Sequence, residues 1–205
     1  METRDPLHFL QQEISRLRDE NRTLKEELGV LRSSVRALNA LQDIIRRLGP
    51  GADVLPLLDD LLASALAVVD AQDGSLLLLD EDTGELVFAV VHGQARASLT
   101  GYRLAAGQGI AGWVAASRKP QIVLEARLDQ RFSPQIDDTF GFRTRSLACV
   151  PLLDGPRVLG VIEALNKGSD REFTEVDRDL LQIVAQLASI ALTRAEHLSE
   201  SPPAA

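Results

Sequence analysis

Residues 141–190 read GFRTRSLACVPLLDGPRVLGVIEALNKGSDREFTEVDRDLLQIVAQLASI, and the fold is decided here. Two apolar runs, 146–153 and 158–165, flank a short turn holding Gly155 and Pro156. Runs of that length, bounded by turn residues, read as a hairpin of strands buried on nearly all sides. Asn166 and Lys167 close the hairpin. Phe173-Thr174-x-x-Asp177 then opens a long helix, expected from Thr174 to about His197. Its apolar stripe of Leu180, Leu181, Val184, Leu187 and Ala191, with Ile183 and Ile190 beside it, is wider than one sheet face requires.

Upstream, residues 119–144 read as a long irregular stretch holding three of the chain's six Phe. A loop of that length inside a compact domain is more often functional than idle. Before it come a helix over 110–117, a weak strand near 102–104 and a hairpin of 75–80 with 85–92. An Asp53-capped helix through about Val69 precedes these, with Leu55, Leu58, Leu62, Leu66 and Val69 on one face. Helix, hairpin, helix-containing crossover, hairpin and helix describe an α+β fold. Its centre is a mostly antiparallel sheet with helices on its faces.

The first 48 residues hold a seven-residue repeat. Leu10, Leu17, Leu24, Leu31 and Leu38 occupy one heptad position, and Ile14, Asn21, Leu28 and Val35 another. These are the d and a seams of a coiled coil. Glu13, Glu20 and Glu27 each lie five residues before a cation, Arg18, Lys25 and Arg32. In a parallel pair such residues meet across the two chains, and Asn21 at a selects register and two strands. The expected organisation is a dimerisation helix over 1–48, a linker over 49–52 broken by Gly49-Pro50-Gly51, a domain over 53–197 and a disordered tail over 198–205.

The chain has 22 Lys+Arg against 30 Asp+Glu, a net charge of −8. Residues 1–50 hold nine basic and eight acidic groups, so the excess of acid belongs to the domain. An acidic domain repels phosphate backbones and anionic lipid surfaces, so neither nucleic acid nor membrane is an expected partner. No signal-peptide core or spanning run is present, and a cytoplasmic location is expected. The lone Cys149, mid-strand in LACVPL, reads as a small buried residue.

Other motifs carry their own alternatives. Gly107-Gln108-Gly109-Ile110-Ala111-Gly112 matches G-x-G-x-x-G, with Asp129 near the spacing of a ribose-binding acid. It lacks the strong parallel strand that a dinucleotide site needs, so the glycines read as a tight turn into a helix. The amides of Ile110–Trp113 at that helix start are available to an anion. Trp113 reads as a core anchor and His92 as a strand-end residue facing water. No metal-ligand spacing of His, Cys, Asp or Glu is evident, and no cofactor is expected. Arg143 and Arg145 either bind a carboxylate or phosphate bidentately or pair with Asp137, Asp138 or Glu125. No nucleophile elbow or catalytic set is visible, and the adjacent acids Asp59-Asp60 and Asp137-Asp138 point to different faces.

The order of parts over 53–197 resembles a GAF domain, a small-molecule-sensing module of signalling proteins. The resemblance rests on GQGIAGWVAASRKPQIV, DQRFSP, GFRTRSLACVPL, VLGVIEALNK and FTEVDRDLL. The cyclic-nucleotide-binding members carry Asn-Lys, a gap and Phe-x-x-x-Asp-Glu. Here Asn166, Lys167, Phe173 and Asp177 match, and Arg178 replaces the last acid, which counts against that ligand. The resemblance implies an ion pair between Lys167 and Asp177 that ties the last strand to the last helix. It also implies a ligand between the sheet and the layer over 107–145, with Ile110, Trp113, Phe132, Ile136, Phe140, Arg143 and Thr144 as pocket candidates. The family's methionine sulfoxide reductase and bilin chemistries need cysteines that this chain lacks or places in a strand.

The expectation is therefore a non-enzymatic signalling protein, a homodimer whose domain binds an unidentified small molecule and acts through a downstream protein. A structural adaptor with no ligand is the alternative, and a small redox enzyme using Cys149 a weaker one. Light scattering of the wild type should return the mass of two chains; a one-chain mass removes the zipper. Asn21→Leu should raise the thermal midpoint and broaden the oligomer distribution.

Overall fold

The protein is described by a computed structural model covering residues 10–24, 53–94, 96–168 and 171–200. Leu28, Leu31, Val35 and Leu38 of the seam, and the 49–52 linker up to Ala52, lie outside the described residues. The chain divides into two units, Met1–Asn39 and Ala40–Ala205, each described by itself.

In the first unit residues 10–24 are helical (α1). Leu10, Ile14, Leu17 and Leu24 are between 49% and 62% exposed, so the single chain leaves its apolar stripe uncovered. Arg16 pairs with Glu13 at 2.6 Å and with Glu20 at 3.2 Å. These glutamates are thus engaged on their own helix, because positions three and four apart are surface neighbours.

The second unit opens with α2 (Leu55–Val69), where the carboxylate of Asp53 accepts the N–H of Leu55 at 3.0 Å. Leu58, Leu62, Leu66 and Val69 are buried as the spacing predicts, together with Leu57, Leu61 and Ala65. Leu55 is instead 44% exposed, because packing begins two residues later with Leu57 and Leu58. Asp70 then adopts the left-handed conformation and turns the chain into β1 (Ala71–Leu79). There follow β2 (Leu86–His92), the single turn α3 (Arg96–Leu99), β3 (Arg103–Leu104) and α4 (Gly109–Ser117). β4 (Gln121–Val123), a 3-10 turn (Ala126–Leu128) and α5 (Pro134–Phe140) come next, then β5 (Leu147–Asp154), β6 (Arg157–Lys167) and α6 (Glu175–Glu200). The stretch read as irregular over 119–144 therefore contains three short elements. The helix α6 also runs to Glu200, into the segment read as tail, because no helix breaker intervenes before Pro202.

The six strands form one antiparallel sheet in the order β3-β2-β1-β6-β5-β4. α2 and α6 cover one face and α4 packs on the other. On β6 the alternation of faces divides the two cores. Val161 joins Leu77, Phe88, Ile110, Val114 and Leu147 in the cluster under α4, and Ile162 and Ala164 fall on the opposite side. β6 approaches β1 closely at Gly160, where a Cβ would stand 2.0 Å from the Leu77 carbonyl oxygen.

Gly160→Ala must push β6 away from β1 at the centre of the sheet. The expected loss is about 3 kcal/mol, the upper end of ordinary overpacking, read as a lower urea midpoint. An unchanged midpoint would show that the approach is softer than described.

Candidate functional site

A cavity open to solvent lies between the sheet and the layer made by α4 and α5. Its walls are mainly apolar. Phe88 and Val91 come from β2, Ile110 and Ala111 from the first turn of α4, and Phe132, Ile136 and Phe140 from α5 and the loop before it. Leu147 on β5 and Leu165 on β6 complete the sheet side.

The polar groups in the wall are few, and most are committed. Asp137 is 3% exposed and accepts both the N–H and the hydroxyl of Thr144, each at 2.8 Å. Arg127 reaches the same carboxylate at 3.3 Å. This bonding ties α5 to the segment before β5 and holds Phe140 over the cavity. At the other end of α5, the amide of Gln108 donates to Ser133 at 2.9 Å and to Gln135 at 3.0 Å. His92 bonds to Asp59 on α2 at 3.0 Å, so it does not simply face water as the sequence suggests. That contact needs the α2 packing, which brings residues 33 apart in sequence together.

Glu163 is the exception. It lies mid-strand on β6, 8% exposed, with Ser75 of β1 and Cys149 of β5 directly opposite on either side. The Ser75 hydroxyl donates to its carboxylate at 3.1 Å, and the Cys149 thiol lies alongside. Burial disfavours the charged form and pushes the Glu163 carboxyl up to about 7, against the smaller opposing effect of these hydrogen bonds. Burial also pushes the Cys149 thiol well above its usual value, helped by the neighbouring Glu163. Cys149 is fully buried and held as a thiol, the form that is not nucleophilic.

Of the residues expected in the pocket, Ile110, Phe132, Ile136, Phe140 and Thr144 line it. Trp113 does not. Its ring packs against the core cluster and carries the Arg131 guanidinium 4.5 Å from its centroid. Arg143 lies instead in a neighbouring groove, with Arg145. Glu163, Ser75 and Asp137 are not among the expected residues. The available signal is a lone charge inside the apolar run VLGVIEAL. Reading it needs the strand register.

Gly107 and Gly109 both take positive φ, 72° and 71°, at the turn into α4, and Gly112 sits where a Cβ would stand 2.4 Å from the Gly107 carbonyl carbon. The glycines therefore serve a tight turn. Because α4 starts at Gly109, the Gly112 N–H is already bonded to the Gln108 carbonyl at 3.0 Å. It is not free for an anion, so the expectation for Ile110–Trp113 fails at Gly112. Asp129 is bound to Arg131 at 2.6 Å. Among the described residues no group of three or more His, Cys, Asp or Glu converges as metal ligands, and no helix is long and apolar enough to cross a membrane.

Past Glu163, the strand ends in Asn166 and Lys167. Asn166 takes a left-handed φ of 52°, and its side-chain oxygen accepts the Arg145 N–H at 2.7 Å. Its amide donates to the Arg143 carbonyl at 2.9 Å. Lys167 and Asp177 form an ion pair with both side chains about a tenth exposed. Asp177 also accepts the N–H and hydroxyl of Thr174, at 2.7 and 2.8 Å, and donates its own N–H to the Thr174 hydroxyl at 3.3 Å, so the two cap α6 reciprocally. Phe173, 3% exposed, lies under the Lys167 ammonium. Arg178 pairs with Glu175 and Asp179 on the surface, apart from this clamp.

The GAF domain family model matches residues 53–192, and the chain belongs to that family. A dual cyclic-AMP and cyclic-GMP phosphodiesterase of Drosophila melanogaster is 37% identical over 100 residues, 48% of this chain and 7% of its own length. A probable cyclic phosphodiesterase of Caenorhabditis elegans is 32% identical over 141 residues, 64% of this chain and 19% of its own length. The chain thus spans less than a fifth of these relatives. A solved segment of a methyl-accepting chemotaxis protein superposes with a TM-score of 0.67 at 20% identity, covering 79% of this chain and 99% of that one. That likeness concerns the fold.

The raised value of Glu163 has a consequence for stability. A carboxyl whose folded value lies above its unfolded value stabilises the fold fully below the unfolded value, 4.5, and loses that contribution as pH rises through about 7. Stability should therefore fall between pH 5 and pH 8, by an amount on the order of 1–3 kcal/mol at roughly 1.4 kcal/mol per unit. Glu163→Gln should flatten this slope and be the more stable protein at pH 8. Urea unfolding at both pH values checks it, and an unchanged slope would assign the ionisation elsewhere.

Proposed function

We propose that this GAF-family chain is a non-enzymatic regulatory module. It is paired through a parallel coiled coil, binds a small ligand between its sheet and α5, and passes occupancy to a protein partner. The observation that carries this reading is the apolar cavity floored by a buried carboxyl, Glu163, with only Ser75 and Cys149 beside it. Mainly apolar sites with few polar groups suit compact, largely apolar or aromatic molecules, whose orientation those few groups set. A ligand N–H or ammonium directed at Glu163 offsets the cost of keeping that carboxyl out of water.

Pairing is supported by the uncovered stripe of Leu10, Ile14, Leu17 and Leu24, which the heptad spacing would bury against a second copy. The non-enzymatic reading is supported by the burial of Cys149, the chain's one cysteine. The relatives' names make cyclic AMP and cyclic GMP the first compounds to try. Arg178 replaces an acid of that subgroup's motif, but it lies outside the Lys167–Asp177 clamp, so the replacement leaves the clamp whole.

Native mass spectrometry of the purified full chain, before and after incubation with each cyclic nucleotide, tests the reading. The expected spectrum shows two chains with retained or added small-molecule mass, and Glu163→Ala should lose that added mass while keeping the dimer. A dimer that holds no added mass from the cell or from either nucleotide favours the ligand-free adaptor.

A further inference from the structure

Arg143 and Arg145 stand outside the pocket and outside the ion-pair network. Exposure alternates along this segment, exposed at Arg143, buried at Thr144 and exposed at Arg145, so both guanidinium groups leave the chain on the solvent side. Among the described residues neither has an acid partner. Asp137, one of the acids expected to pair with them, is occupied by Thr144 and Arg127. The two guanidinium groups therefore do not hold this segment in place. Asp137 does so through Thr144, and Asn166 does so by adopting a left-handed backbone that a residue with a side chain enters at a cost, and bonding both the Arg145 N–H and the Arg143 carbonyl. The structure thus fixes the backbone under two arginines whose side chains it leaves unused.

These arginines line an open groove whose other polar side chains are Gln72, Gln94, Asn166 and Asp73. Asp73 accepts the Gln94 N–H at 3.2 Å, and it lines both the groove and the pocket, as Phe142 does. The two spaces therefore adjoin. In a chain of net charge −8, two unpaired guanidiniums beside amide side chains form a local exception to the surrounding field.

We propose that this groove is an oxyanion site, in which Arg143 and Arg145 grip a phosphate or carboxylate group, and that the group is the anionic end of the molecule whose body fills the pocket. The second part rests on the ligand reading of the pocket; the first does not. A guanidinium fork matches both oxyanions in two-point geometry. At an exposed site solvent and salt weaken the grip, so a free anion binds loosely. Tethering the anion to a body held in the pocket raises its effective concentration at the groove. The groove then selects among apolar ligands those carrying an oxyanion at the right distance.

The test is NMR of the full chain, labelled with nitrogen-15 and titrated separately with inorganic phosphate and with acetate at constant ionic strength. Saturable shifts are expected at the Arg143 and Arg145 side-chain Nε–H groups and at the backbone amides of 141–146. The tighter of the two anions identifies the oxyanion. The R143Q/R145Q double variant changes only exposed side chains and should keep a folded spectrum while binding at least tenfold more weakly. Non-saturating drift, or equal saturation in the double variant, overturns the site. Saturation here, with no mass retained in the native spectrum, keeps the groove and removes the pocket reading. The reverse pattern does the opposite.

Discussion

Strand β6 is paired on both edges, with β1 across Ala71–Leu78 and with β5 across Leu147–Asp154. A strand held this way cannot slip by one residue without exchanging its two faces. Val161 would then leave the cluster under α4, and Ile162 would enter it. The same pairing sets Glu163 between Ser75 and Cys149 and leaves the carboxyl inside the pocket. It also fixes where the strand ends. Asn166 and Lys167 consequently arrive beside two different targets, the segment of Arg143–Arg145 and the first turn of α6. The floor of the pocket, the backbone under the groove and the anchor of the last helix are thus consecutive features of one strand.

Much of this is legible in the order of the amino acids. The hairpin expected over 146–153 and 158–165 appears at Leu147–Asp154 and Arg157–Lys167, because two long apolar runs around a short turn allow few other arrangements. The Gly-rich turn into α4 is legible for a related reason, since positive φ at Gly107 and Gly109 calls for residues without a Cβ. The stretch over 119–144 is not. Its elements are three to seven residues long, too short for a period to show, and their ends are set by tertiary bonds such as Asp137 to Thr144. The family resemblance implies Trp113 for the pocket, but which face of a nine-residue helix turns to the cavity depends on packing. Glu163 escapes a reading along the chain because its meaning lies in its cross-strand neighbours, 88 residues away at Ser75.

The carboxyl of Glu163 also poses an electrostatic problem that the fold leaves open. Of the other titratable side chains in the pocket wall, Asp73 and Asp137 accept from N–H and O–H donors, and His92 is bound to Asp59. Among the described residues none supplies a positive charge to Glu163, and Arg143 and Arg145 face the groove instead. Ser75 donates one hydrogen bond and Cys149 a weak one, which does not offset full burial of the charged form. Near neutral pH, then, only two things relieve this group: a proton, or a donor on whatever fills the cavity. These compete for the same oxygen atoms. An occupant that donates to Glu163 favours its ionised form and must release the proton it displaces, so its affinity falls as pH drops below about 7. An occupant held by the apolar walls alone leaves the proton in place and binds equally well on either side of that value.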